Sequence, residues 1–230
     1  MMALEQAKPT CKYCGKQFSR ESSLAVHMCE TKRRWSQENE TGVRLGFQAW
    51  LRFYELTQGS AKTKTYATFV DSPYYSAFVR FGQVMVQLRV VNTRAYTDFV
   101  IKSNKKLDHW TKDSLYDEFL LTYLRKEHPQ DALERSLLEA QRWADDNNES
   151  FIDVFRKGSP NRVCQMISNG RISPWVVFNC DSGQEFLGRL NQEQVASIFS
   201  AIDPEFWGRR LHEHLADSEY IKEVLKGAGL

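Results

Sequence analysis

Three cysteines and one histidine near the start of the chain have the residue types and the spacing of a metal site. Cys11 and Cys14 are separated by two residues, twelve residues separate Cys14 from His27, and Cys29 lies two positions further on. Zn²⁺ prefers four tetrahedral sulfur or nitrogen ligands, and a gap of two residues lets both thiolates of a turn face one ion. Gly15, directly after Cys14, permits the tight backbone of such a turn. These residues therefore predict a zinc site.

Two apolar residues between the second cysteine and the histidine complete a recognisable pattern. Phe18 and Leu24, taken with Cys11, Cys14 and His27, make this stretch resemble the two-cysteine, two-histidine zinc finger family, here in a Cys-Cys-His-Cys form. The resemblance covers about the first 30 residues. It implies a small ββα finger that binds Zn²⁺ and whose core is formed by Phe18 and Leu24.

The fourth ligand departs from the pattern of that family. The family places it four to six positions after the first histidine, where this chain has Thr31, Lys32 and Arg33. The nearest candidate is Cys29, only two positions after His27. On a regular α-helix two positions correspond to a rotation of about 200°, which directs the two side chains to opposite faces. Cys29 can therefore complete the site only if the helix ends at about His27.

Two other arrangements of this site are open. A three-ligand site could be completed from the later chain, by Cys164, Cys180 or a histidine. The finger could also have lost its metal. Packing of the cysteines in a hydrophobic core is a poor explanation, because about 35 residues cannot build such a core unaided.

Nucleic-acid contacts can be assigned by the numbering of DNA-reading fingers, which contact bases from helix positions −1, 3 and 6. With His27 as the seventh helix residue, these positions are Arg20, Ser23 and Val26. An arginine can pair with a guanine edge and a serine can donate or accept, whereas a valine offers only apolar contact. One finger covers about three base pairs, which is too little for useful specificity by itself.

A basic run follows the finger and adds to this candidate surface. Lys32, Arg33 and Arg34 would contact phosphates, and Trp35 would offer a stacking surface. A helix that ends at His27 would leave this run in an extended arm. Contact with a protein, or a purely structural role in which Trp35 docks the finger onto the rest of the chain, are the alternatives.

Composition and charge indicate a soluble globular protein with a basic head. Of the 230 residues, 42% are apolar and 26% are charged. The longest mainly apolar stretch without charge, ISPWVVFNC, is far too short to span a membrane. The start of the chain lacks the apolar core of a signal peptide. With cysteines grouped as metal ligands, we expect an intracellular protein, in the host cytoplasm if it is viral. Residues 1–35 carry a net charge of +4 and the rest −2, so an acidic partner suits the head only.

The chain beyond the head reads as helical. We predict a mainly α protein with two domains, a zinc finger with its basic run over 1–36 and an α-helical domain of about eight helices over 41–230. Thr41 is expected to cap the first helix of that domain. Amphipathic spacing and cap signals predict further helices, among them 74–91, apolar nearly all round and so expected to be buried, and 93–103, 111–126, 130–146 and 160–168. The segment after Pro174 fits a helix or a short strand.

Catalytic signatures are missing from this sequence. It has no glycine-rich phosphate loop, no G-x-S-x-G elbow and no HExxH. We therefore expect a non-enzymatic accessory protein that binds nucleic acid through its basic head and a protein partner through its helical body. One alternative is a protein–protein adaptor or structural protein in which the finger staples the fold. Another is a metal-dependent nuclease, whose scattered carboxylates would leave no local signature.

Several segments outside the finger resemble uncharacterised zinc-finger proteins of large tailed bacteriophages. These segments are KRRW, QGSAKTKTY, NKKLDHWTKDS and SPWVVFNCDSGQEFL. The resemblance implies an accessory factor that works inside a bacterial host, with a phage or host protein as its partner. It implies no activity.

Overall fold

The computed structural model describes residues 8–60 and 63–230, and their regular secondary structure is helical. They form fifteen α-helices and two short 3-10 helices, which confirms the predicted mainly α fold. Thirteen of the fifteen α-helices lie within 41–230, where about eight were predicted. The two strands expected of a ββα finger are reduced, within these residues, to one antiparallel bridge between Thr10 and Gln17.

The chain divides into two compact units, Met1–Leu115 and Tyr116–Leu230. The first unit contains α1 (Glu21–Ala25), α2 (Glu30–Ser36), α3 (Thr41–Gln58), α4 (Tyr66–Val70), α5 (Tyr75–Gln87), α6 (Thr93–Lys102) and a 3-10 helix (Leu107–His109). In sequence, α7 (Asp113–Tyr123) runs across the boundary. The division into a finger over 1–36 and a helical domain over 41–230 stays a prediction, and residues 1–7 of that finger lie outside the described residues.

The α-helices of the second unit range from four to nineteen residues in length, and several of them begin at a side-chain cap or a first-turn proline. It contains α8 (Pro129–Asn147), a 3-10 helix (Phe151–Asp153), α9 (Val154–Lys157), α10 (Pro160–Ser168), α11 (Pro174–Asn179), α12 (Asp181–Gly188), α13 (Gln192–Ile202), α14 (Pro204–Glu213) and α15 (Leu215–Ala228). Ser173 caps α11 and precedes a first-turn proline, so the segment after Pro174 is a helix and not a strand. Asp203 caps α14 in the same way, and Asn191 caps α13 in a capping box with Gln194.

Close packing of α3 on α5 organises the first unit, and glycines make it possible. A Cβ added at Gly82 would collide with the backbone of Gly42 and Gly46. The two helices can therefore approach only because these positions lack side chains. The expectation of a buried helix is confirmed for one face of α5: Phe81 and Met85 are buried, while Val86 on the same helix is 41% exposed.

Aromatic side chains fill the space between these helices. Trp50 and Phe69 are buried with their ring centroids 5.3 Å apart, and Trp110 packs edge-on against Phe78 and Phe81. Core packing therefore accounts for much of the aromatic content of this unit. The start of α3 differs from the prediction, since Glu40 occupies the N-cap and Thr41 is already helical.

Candidate metal centre

A tight hairpin presents the first two cysteines. The N–H of Gly15 donates to the carbonyl oxygen of Cys11 at 2.8 Å, and the N–H of Cys11 donates to that of Lys16 at 2.9 Å. The N–H of Phe18 donates to Pro9 at 2.8 Å and closes the hairpin. Gly15 has φ +71°, a left-handed conformation that disfavours other residues, although no atom would obstruct a Cβ there. Glycine is thus needed for the backbone conformation and not for space.

The first helix of the finger ends before the histidine. α1 stops at Ala25, Val26 forms its C-cap, and the N–H of His27 donates to the carbonyl of Leu24 at 3.1 Å in a final tight turn. His27 and Cys29 therefore do not share one regular helix. This confirms the condition that the sequence set for Cys29 to approach the same ion.

A second helix begins directly after Cys29. Cys29 is the N-cap of α2, and its sulfur accepts the N–H of Lys32 at 3.4 Å. The ammonium of Lys32 donates to the carbonyl of His27 at 3.1 Å, which holds the linking residues in place. The expected extended arm is wrong: Lys32, Arg33 and Arg34 all lie in α2. A new helix forms because the cysteine sulfur satisfies one of its free N–H groups.

The four predicted ligands come together in one cluster, which we call the Cys3His cluster: Cys11, Cys14, His27 and Cys29. Their ligand atoms all lie within 4.8 Å of one another. Cys11 Sγ and Cys29 Sγ are 4.0 Å apart, and Cys14 Sγ is 3.3 Å from His27 Nε2. A tetrahedral zinc ion with ordinary bond lengths gives edges of about 3.8 Å between sulfurs and about 3.5 Å between sulfur and nitrogen. The cluster can therefore hold one metal ion.

Cys164 and Cys180 are not part of this arrangement. Among the described residues, the Cys3His cluster is the one group of three or more such side chains at metal-binding distance. Cys164 and Cys180 are buried thiols whose pKa is raised by burial. A raised pKa disfavours the thiolate that metals require. The cluster already supplies four ligands without a residue from the later chain.

Backbone N–H groups prepare the first thiol for a metal. The N–H groups of Cys14 and Tyr13 stabilise the thiolate of Cys11 and lower its pKa. The N–H of Lys16 acts in the same direction on Cys14, but desolvation and the neighbouring thiols of Cys11 and Cys29 raise the pKa of Cys14 overall. The thiolate of Cys11 therefore forms readily, and its negative charge disfavours ionisation of Cys14. A divalent cation bound between them would offset this repulsion.

The small core of the finger supports the histidine ligand. The ring of Phe18 lies 4.8 Å from that of His27, centroid to centroid, and both Phe18 and Leu24 are half-buried. The aromatic contact restricts the rotation of the imidazole, which leaves Nε2 directed at Cys14. Such a supporting contact reduces the entropy lost when the ligand binds a metal.

The candidate nucleic-acid residues fall into two groups. Arg20, Ser23 and Val26 are exposed, and α1 begins at Glu21, as the position numbering requires. The numbering is wrong at its other end, because α1 stops at Ala25, so that Val26 is the C-cap and His27 is not a seventh helix residue. The basic run, however, does not form one exposed strip. Lys32 and Arg34 are only partly exposed, whereas Arg33 is exposed and pairs with Glu30 at 2.7 Å. The role of all six residues in nucleic-acid binding stays a prediction.

Comparison with known proteins adds no relative. A scan against protein-family models and searches of curated proteins and of solved structures found no match to this chain. The resemblance to bacteriophage proteins therefore stays a prediction. None of the described helices is long and apolar enough to cross a membrane. The fold and the site together define a helical protein with a zinc-finger-like group of three cysteines and one histidine.

Proposed function

We propose that this chain is a non-enzymatic zinc-binding protein, which contacts nucleic acid through its finger and a protein partner through its helical body. The observation that carries the proposal is the Cys3His cluster, whose four ligand atoms lie within 4.8 Å of one another. Three thiolates and one imidazole are a soft ligand set that favours Zn²⁺ over Mg²⁺ or Ca²⁺. Four protein ligands leave no open position for a substrate, which is typical of a structural zinc site.

Exposed positive charge on the finger supports the nucleic-acid contact. Lys12, Lys16 and Arg20 are exposed around the hairpin and the start of α1, and Arg33 is exposed on α2. A small number of phosphate contacts gives weak binding that falls steeply as salt rises. Two or three such contacts would give a slope of about −2 to −3 in a plot of log affinity against log salt concentration.

The test is a metal analysis followed by a salt titration of nucleic-acid binding on the full chain. We expect one zinc ion per chain, and binding to duplex or single-stranded DNA or RNA at low salt. Arg20→Ala should weaken binding by about tenfold and reduce the salt slope by about 1. Arg209→Ala is the matched control, because Arg209 is an exposed arginine on α14. A protein that carried zinc but bound none of these nucleic acids would refute the nucleic-acid contact.

A second candidate function is an adaptor in which the finger staples the fold, and one observation favours it. The guanidinium of Arg34 turns inward and donates to the carbonyl of Val70 instead of facing solvent. In this case Arg20→Ala and Arg33→Ala would leave the function of the protein unchanged. The nuclease alternative is tested in the same reactions, because added Mg²⁺ or Mn²⁺ would then produce cleavage.

A further inference from the structure

We propose that α2 is a zinc-dependent clasp, which docks on α4 and α5 when the Cys3His cluster holds its metal and is released when the metal leaves. This inference rests on the zinc site proposed above and concerns its regulation. The clasp is defined as residues Cys29 to Trp35. It includes one metal ligand, the N-cap of α2 and the residues that reach the neighbouring helices.

The metal end of the clasp is fixed by Cys29. Its sulfur is both a member of the cluster and the acceptor for the N–H of Lys32. Lys32 also bridges back to His27, a second ligand, through its ammonium group. Two ligands thus position the first turn of α2. If the ion leaves, Cys29 and His27 are no longer joined through a shared metal, and this constraint on α2 is lost.

The docking end of the clasp is centred on Arg34. Its Nη1 donates to the carbonyl oxygen of Val70, the last residue of α4, at 2.5 Å. Its guanidinium lies 4.5 Å from the ring centroid of Tyr75 in α5, and its Nε donates to Glu30 at 3.1 Å. The Arg34 side chain is only 20% exposed. Arg34 is thus held by α2, α4 and α5 together.

Aromatic contacts join the metal-binding hairpin to the same helices. The ring of Trp35 lies 6.5 Å from that of Tyr13, which is between the ligands Cys11 and Cys14, and 5.2 Å from that of Tyr66, edge to face. The Tyr66 hydroxyl donates to the carbonyl oxygen of Arg34 at 2.7 Å. The hairpin and the last turn of α2 are therefore both joined to α4, through Arg34 and Trp35.

Coupling between the two ends must be reciprocal. If the metal favours docking, docking must favour the metal by the same factor. Weakening the contacts of Arg34 or Tyr66 should then lower the affinity for zinc, although neither residue is one of the four ligands. A finger that was merely tethered to the helices would show no such effect.

The experiment measures zinc affinity of the full chain by competition with a chelator. We expect about tenfold weaker binding for Arg34→Ala, the loss of one charge-assisted hydrogen bond, and about fivefold for Tyr66→Phe, which removes one hydroxyl. Arg80→Ala is the control, because Arg80 is an exposed arginine on α5. The zinc affinity of this variant should stay within about twofold of wild type. Tyr66→Phe keeps the ring in place, so it tests the coupling even if Arg34→Ala folds poorly.

Hydrogen–deuterium exchange gives the complementary readout. Chelation of zinc from the wild-type protein should lower the amide protection of Tyr66–Val70, while Pro160–Ser168 in α10 serves as the internal reference. Unchanged protection of Tyr66–Val70, or equal zinc affinity in Arg34→Ala, Tyr66→Phe and Arg80→Ala, would overturn the clasp while leaving the zinc site intact. A wild-type protein that bound no zinc would overturn both the clasp and the proposed function.

Discussion

Replacing Cys29 with serine separates the two roles of this residue. Its sulfur is one of the four cluster atoms and also accepts the N–H of Lys32 at the start of α2. Serine is a strongly preferred N-cap, so Cys29→Ser keeps the start of α2 while removing a thiolate ligand. Structural zinc sites contribute about 10–16 kcal/mol through four ligands, so one ligand accounts for about 3 kcal/mol. We therefore expect the zinc affinity to fall by about two orders of magnitude.

The assay is chelator competition at fixed pH, with zinc stoichiometry measured on the same samples. Cys164→Ser and Cys180→Ser are the matched controls, since both thiols are buried outside the cluster, and their zinc affinity should equal that of wild type. Wild-type affinity in Cys29→Ser would show that this sulfur is not a ligand. Weakened affinity in Cys164→Ser or Cys180→Ser would instead assign the fourth ligand to the later chain.

Three further outcomes are expected. Gly82→Ala should destabilise the fold by about 2 kcal/mol or more in chemical denaturation, because its Cβ would meet the backbone of Gly42. Gly208→Ala, the control in a helix where nothing obstructs a Cβ, should stabilise it by about 0.5–1 kcal/mol. The free energy of unfolding should fall as pH rises above about 8.5, because burial raises the pKa of Cys180, so that in this pH range the thiol ionises in the unfolded chain only. Cys180→Ala should flatten this pH dependence. An unchanged slope in that variant would contradict the prediction.

The metal ligands could be predicted from the sequence because the pattern that identifies them lies within one short stretch of the chain. The gap of two residues between Cys11 and Cys14 predicts a turn. The angular period of a helix requires that the helix end before Cys29 if His27 and Cys29 are to bind the same ion. The same holds for helices with standard caps, such as α13 after Asn191. Patterns of this kind depend on residues that are close together in the sequence, so the structures that they predict also form in the folded chain.

The remaining features depend on contacts that a linear pattern does not contain. The start of α2 was missed because cysteine is not a usual N-cap, although Glu30 in its first turn and Arg33 and Arg34 in its last were a usable signal. The stretch GSAKTKTY (59–66) reads as a loop in the sequence, and α4, which was not predicted, begins at its last residue, Tyr66. Residues 61 and 62 of that stretch lie outside the described residues. Its capping box, Thr65 with Thr68, uses a threonine where glutamate or glutamine is usual. The inward direction of Arg34 requires Val70, which is far away in sequence.

The docked position of Arg34 and Trp35 also bears on how this chain can be divided for experiments. A shortened chain that begins after Ser36 would lose the side chains that cover Tyr66 and Tyr75. Two aromatic faces would then meet water together, which favours self-association. The behaviour of such a truncated chain would reflect its newly exposed surface as much as the loss of the finger. Point substitutions of the metal ligands are the cleaner way to remove the finger, because they leave Arg34 and Trp35 in the chain.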